Sequence, residues 1–77
     1  MPHISLKMLH GRAPEQKQRA VEKLTNALCE ALECDESFVS VSVEDYTPAE
    51  WQTVFAKEIA DNPAVVKFPK YNPKDLL

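Results

Sequence analysis

A single glycine, Gly11, serves the whole 77-residue chain, which leaves little material for a glycine-rich hairpin. There is no excess of positive charge: nine Lys and Arg stand against twelve Asp and Glu, a net charge of −3, so the electrostatic footprint of a nucleic-acid binder is missing. No apolar run approaches the roughly 20 residues that cross a bilayer, and Met-Pro-His-Ile-Ser lacks the basic flank and apolar centre of a secretory signal. A cytosolic protein with neither membrane nor nucleic-acid partners is the expectation. Cysteine is scarce too: Cys29 and Cys34 stand alone, and their spacing matches no zinc or redox motif. They read as packed free thiols. What remains is a globular composition, 44% hydrophobic and 27% charged, with room for one small domain over residues 1–77. A core this small gives only a few kcal/mol, so without disulfide or metal the remaining source of stability is oligomerisation.

From His3 to Leu9 the chain alternates, Ile4, Leu6 and Met8 against His3, Ser5 and Lys7, which is the period of a half-buried strand. Gly11 marks the turn after it, and Pro14 suits the first position of a helix. From Glu15 to about Glu33 the apolar residues Val21, Leu24, Leu28, Ala31 and Leu32 form one stripe. The period of two returns from Phe38 to Val43, with Val39, Val41 and Val43 against Ser40 and Ser42. Strand, helix, strand is the crossover unit whose strands run parallel. Two strands are marginal alone, so another chain is expected to complete the sheet. Thr47-Pro48-Ala49-Glu50 is a capping box that starts a second helix with Trp51, Val54, Phe55 and Ile59 on one face, ending near Asp61-Asn62-Pro63. The tail, with Pro69, Pro73, Lys67, Lys70 and Lys74, reads as an irregular segment laid along a surface.

Pro2 carries the most chemical information. On position alone it reads as the first residue of a strand, where proline is tolerated. An initiator Met before so small a residue is normally removed, however, which makes the proline nitrogen a terminal secondary amine. A terminal amine titrates near neutrality, and apolar surroundings or a nearby cation disfavour its charged form, so it can serve as base at pH 7.

Pro2 opening an amphipathic strand, followed by Leu9-His10-Gly11-Arg12 and Glu15-Gln16-Lys17 and by the Ser-Val-Ser-Val strand, resembles the 4-oxalocrotonate tautomerase family over residues 2 to about 46. Thr47 to Gln52 and Glu58-Ile59-Ala60 are similar to its dimeric branch, whose members have a helix and tail there. The resemblance implies an α+β protein with the βαβ tautomerase or MIF-like fold, its sheet completed by oligomerisation, as a homodimer. It implies a cofactor-independent isomerase that moves a proton in a small enol or 2-keto acid. Pro2 matches the family's catalytic base, and Arg12 the arginine that holds a substrate carboxylate, a contact suited to its planar fork. Strand one carries the chain about 23 Å from Pro2 to about Leu9, so Arg12 ends far from its own proline and should serve a neighbour's. Trp51 falls where the family has an apolar aromatic in the pocket wall, and it reads equally as a core tryptophan.

One departure stands out. Tautomerases acting on dicarboxylates have a second arginine in strand two, and Ser40 occupies that place. A hydroxyl stabilises an enolate less than a guanidinium does, which implies a substrate with one carboxylate, such as an aryl enolpyruvate. Lys67, Lys70 and Tyr71 are weaker substitutes. By alternation His3 faces away from Pro2, without a direct acid or base role, and His10 reads as solvated. Glu44 and Asp45 read as solvated loop carboxylates, and Glu50 as a cap. Two other readings stay open: a hydratase or dehalogenase of the same superfamily, and a non-catalytic homodimeric binding module.

Overall fold

The computed structural model describes residues 1–77, as two compact units, Met1–Asp45 and Tyr46–Leu77. The first is the strand, helix, strand crossover: β1 (His3–Leu9), α1 (Pro14–Leu32) and β2 (Ser40–Tyr46), whose final residue opens the second unit, with β1 and β2 paired in parallel. Ile4, Leu6 and Met8 are half-buried while His3 and Ser5 are exposed, as the alternation requires. Gly11 makes the turn at φ 120°, a conformation that a side chain would strain. Pro14 opens α1, and the Gln16 side chain reaches back to accept from the Ala13 N–H at 3.0 Å. The helix ends on Glu33 in the left-handed region, and the Cys34 N–H closes on the Cys29 carbonyl at 3.2 Å.

Strand two begins two residues later than the sequence pattern predicts and runs three residues further. The Asp35 carboxylate accepts from both the N–H and the hydroxyl of Ser37, which winds Glu36–Phe38 into a 3₁₀ turn before pairing starts. At the far end Glu44 and Asp45 belong to the strand and not to a loop, because Lys7 of β1 lies 3.6 Å from Glu44 and Lys17 of α1 pairs with Asp45. The two Ser37 hydrogen bonds, the hydroxyl's first, hold the Asp35 carboxyl below the usual aspartate range. A depressed folded value means that the cap is fully made above the ordinary aspartate pKa and is lost as pH falls through the folded one. Amide protection factors at Ser37 and Val39, measured against the intrinsic exchange rate at each pH, are therefore expected to fall below about pH 4 while those of α1 persist. Unchanged protection down to pH 2 would show that the turn does not need the ionised cap.

The apolar face of α1 is wider than the sheet beneath it. Val21, Thr25, Leu28 and Cys29 are half-buried, whereas Leu24, Ala31 and Leu32, expected in the same stripe, are exposed. Two strands less than 5 Å apart cover only part of such a face. Nothing in residues 1–45 is fully buried, and each strand keeps one unpaired edge.

The second unit starts at the expected capping box: the Glu50 N–H donates to Thr47 Oγ1 at 3.1 Å, and the Thr47 N–H to Glu50 Oε1 at 2.8 Å. Helix α2 (Pro48–Val54) continues into a wider π-type segment, Phe55–Ala60, closed by the Asp61 N–H on the Ala56 carbonyl at 3.0 Å. The end falls where Asp61-Asn62-Pro63 placed it; the widening has no counterpart in the sequence pattern. The surface under the tail proves to be α2 itself. The Trp51 indole N–H donates to the Tyr71 hydroxyl at 2.8 Å, the Gln52 amide to the Pro73 carbonyl at 2.7 Å, and the Phe55 and Tyr71 rings meet edge to face at 5.6 Å. Trp51, 8% exposed, is the only buried residue of the chain. No helix is long and apolar enough to cross a membrane.

Candidate active site

Parallel pairing brings the start of β2 to the start of β1. The Ser40 N–H donates to the Pro2 carbonyl at 3.2 Å, so Ser40 pairs across from His3 and its backbone is tied to Pro2. Pro2 is half-buried at the head of the strand, preceded by Met1 at 94% exposure. While Met1 is attached, the Pro2 nitrogen is an amide and no base; its removal is what creates the secondary amine.

The Ser40 hydroxyl does not point into open solvent. It lies 2.7 Å from Nδ1 of His3, and the Ser42 hydroxyl lies 3.4 Å from Nε2 of the same ring. The imidazole thus bridges two hydroxyls on the neighbouring strand, on the face opposite the half-buried Ile4, Leu6 and Met8. Sequence reasoning gave His3 no part in the site. The signal was present in the parity of His3, Ser40 and Ser42, each on the polar side of its strand, but only the register puts them in contact.

Arg12 is exposed in the turn between β1 and α1, with no hydrogen bond or ion pair, so its guanidinium fork is available. The seven residues of β1, about 23 Å of extended chain from Pro2 to Leu9, lie between Pro2 and the turn that carries Arg12, several times the reach of an arginine. His10 is exposed beside it. Trp51 lies in the second unit, where it is the buried centre, packed 6.2 Å from the Tyr46 ring and bonded to Tyr71. Tyr71 is thereby engaged, while Lys67 and Lys70 are exposed.

Two open grooves of a single chain lie along α1. One of about 470 Å³ runs along α1 between Pro14, Glu15, Gln18, Arg19 and Glu22, and one of about 340 Å³ between Val21, Thr25 and Glu36. Both are open and bordered mostly by charged and polar helix residues. Three or more His, Cys, Asp or Glu side chains nowhere converge as metal ligands would. Burial and the neighbouring Cys34 thiol keep the Cys29 thiol above its usual pKa, so it is a poor nucleophile at neutral pH.

Comparison with known proteins places these features in a family. The family model described as tautomerase enzyme matches residues 2–60. A 2-hydroxymuconate tautomerase of Comamonas testosteroni is 39% identical over 61 residues, 77% of this chain and 97% of its own. Tautomerase PptA of Escherichia coli is 31% identical over 74 residues, covering 94% of this chain and 99% of that protein. The crystal structure of YwhB, a homologue of 4-oxalocrotonate tautomerase, superimposes with a TM-score of 0.60 at 38% identity, over 61% of this chain and 77% of that one.

Proposed function

The chain belongs to the tautomerase family, and from that premise we propose that its isomerase chemistry is carried by Pro2 as general base after removal of Met1. The observation that carries this reading is the family match, which starts at Pro2 itself. The neutral nitrogen takes a proton from the carbon beside the substrate carbonyl, the C–H electron pair becomes the C=C bond, and the carbonyl oxygen becomes an enolate that is then protonated. Ketonisation is the same sequence in reverse. The reaction needs no cofactor, since the carbonyl oxygen itself holds the charge.

Arg12 anchors the substrate carboxylate, acting on the Pro2 of a neighbouring subunit. The length of β1, the open sheet edges and the uncovered Leu24 and Leu32 support a homo-oligomer, and we take it to be a dimer. The match to PptA extends over the helix and tail, which fits a branch that keeps them, and the family match crosses the junction between the two units, which favours one domain over residues 1–77. Ser40 in place of an arginine favours a substrate with a single carboxylate, such as an aryl enolpyruvate, and Trp51 supplies apolar surface to the pocket. Two free thiols suit a cytosolic location.

Intact-mass analysis of the untagged protein, before and after 3-bromopyruvate, tests the proposal when phenylenolpyruvate ketonisation is followed on the same samples. Loss of Met1, one adduct on Pro2 and parallel loss of activity are expected. A chain that keeps Met1, or one that is processed yet unreactive and inactive, would make it a binding module instead.

A further inference from the structure

We infer that His3 is a positioning residue for the reaction: it fixes the Ser40 hydroxyl as the hydrogen-bond donor to the substrate oxygen on which charge develops. The inference rests on the proposed role of Pro2 and adds to it the group that receives the charge. An enolate forming beside Pro2 needs a donor aimed at it beforehand, because a donor that must first reorient gives up part of its stabilisation. A serine hydroxyl is a free rotor, and the neighbour's Arg12 is already engaged by the substrate carboxylate. What distinguishes Ser40 is that it is held from two sides. Its N–H is bound to the Pro2 carbonyl at 3.2 Å, and its hydroxyl lies 2.7 Å from Nδ1 of the residue that follows Pro2 in the chain. The groups that place the base therefore also place the hydroxyl.

A neutral imidazole has one N–H and one lone pair. With the N–H on Nδ1, the ring donates to Ser40 Oγ and leaves the Ser40 proton free to point outward, while Ser42 donates to Nε2, 3.4 Å away. We place the proton on Nδ1, the tautomer in which Ser40 keeps its own proton for the substrate and Ser42 can donate to Nε2. With the opposite tautomer Ser40 would spend its proton on the ring and face the substrate with lone pairs only. His3 and Ser40 are both exposed in the single chain, so a ligand can reach the pair. An uncharged hydroxyl at this point also sets specificity, since it can donate to a carbonyl or enolate oxygen but cannot neutralise a second carboxylate.

The test is a double-mutant cycle on phenylenolpyruvate ketonisation, with 3-bromopyruvate labelling of Pro2 followed in every variant. His3→Ala and Ser40→Ala are each expected to lower kcat about tenfold, the loss of one neutral hydrogen bond, with KM changed less than about twofold. The double variant should be no worse than Ser40→Ala alone, because His3 acts through Ser40. His3→Gln, which retains an N–H donor, should recover part of the loss. Pro2 labelling should persist throughout, which shows the base and the fold intact. Unchanged kcat in His3→Ala, or losses that simply add in the double variant, would overturn the role of His3 while leaving Pro2 as base. A wild-type protein that neither labels at Pro2 nor ketonises phenylenolpyruvate would overturn both.

Discussion

Replacing Pro2 with alanine is expected to lower kcat/KM for phenylenolpyruvate ketonisation about a hundredfold, and retention of Met1 about a thousandfold or more. Alanine still ends the chain in an amine, but a primary one on a freely rotating terminus; proline holds its nitrogen in a ring fixed to the head of β1. With Met1 retained there is no base, and positioned acid or base catalysis accounts for roughly 10²–10⁴ in rate. Arg12→Ala should act differently, raising KM about tenfold or more by loss of a charge-assisted contact. The two variants also test the geometry of β1. If Arg12 serves the Pro2 of a neighbour, Pro2→Ala and Arg12→Ala chains denatured together and refolded as mixed dimers should recover about a quarter of wild-type activity. Half the dimers are then mixed, and each mixed dimer holds one intact site of two. Absence of recovery would place Arg12 at the site of its own chain, or outside it.

Trp51→Ala should be the most damaging substitution for stability, costing about 3–5 kcal/mol, the range for large aromatics removed from a core. In a domain whose single core supplies roughly that amount, most chains should be unfolded at 25 °C. Far-UV circular dichroism and urea titration at fixed protein concentration would measure it. The reason lies in the second unit, where Trp51 is the only buried residue and its indole N–H ties the tail to α2 through Tyr71. Trp51→Phe separates packing from chemistry. It keeps an aromatic body and loses one hydrogen bond to an exposed hydroxyl, so its cost should be near 1 kcal/mol. If that variant is stable with an unchanged KM, Trp51 is chiefly a core residue. A KM raised severalfold in a stably folded Trp51→Phe protein would instead make it part of the pocket wall.

Much of this fold is legible in the chain because its signals are local. The alternation of β1, Pro14 at the start of α1 and the Thr47–Glu50 capping box each depend on residues within a few positions of one another, and each element begins where those residues put it. The boundaries that moved are those set by partners distant in sequence. Glu44 and Asp45 join β2 because Lys7 and Lys17 lie beside them, and Leu24 and Leu32 leave the covered stripe because only two strands lie beneath α1. The same division holds for the site. Pro2, Arg12 and Ser40 could be singled out from residue type and position, since an amine, a guanidinium and a missing charge are properties of the residues themselves.

The sequence by itself determined the βαβ order, the proline at position 2 and the serine that stands at position 40 of strand two. Only the tertiary structure decided that His3 joins Ser40 and Ser42, that the tail lies on α2 through Trp51, and that one chain leaves its sheet edges and half of a helix face uncovered. The physical reason is range. Periodicity fixes which face a side chain takes, but strand register, set by backbone pairing between residues nearly forty positions apart, fixes what that face meets.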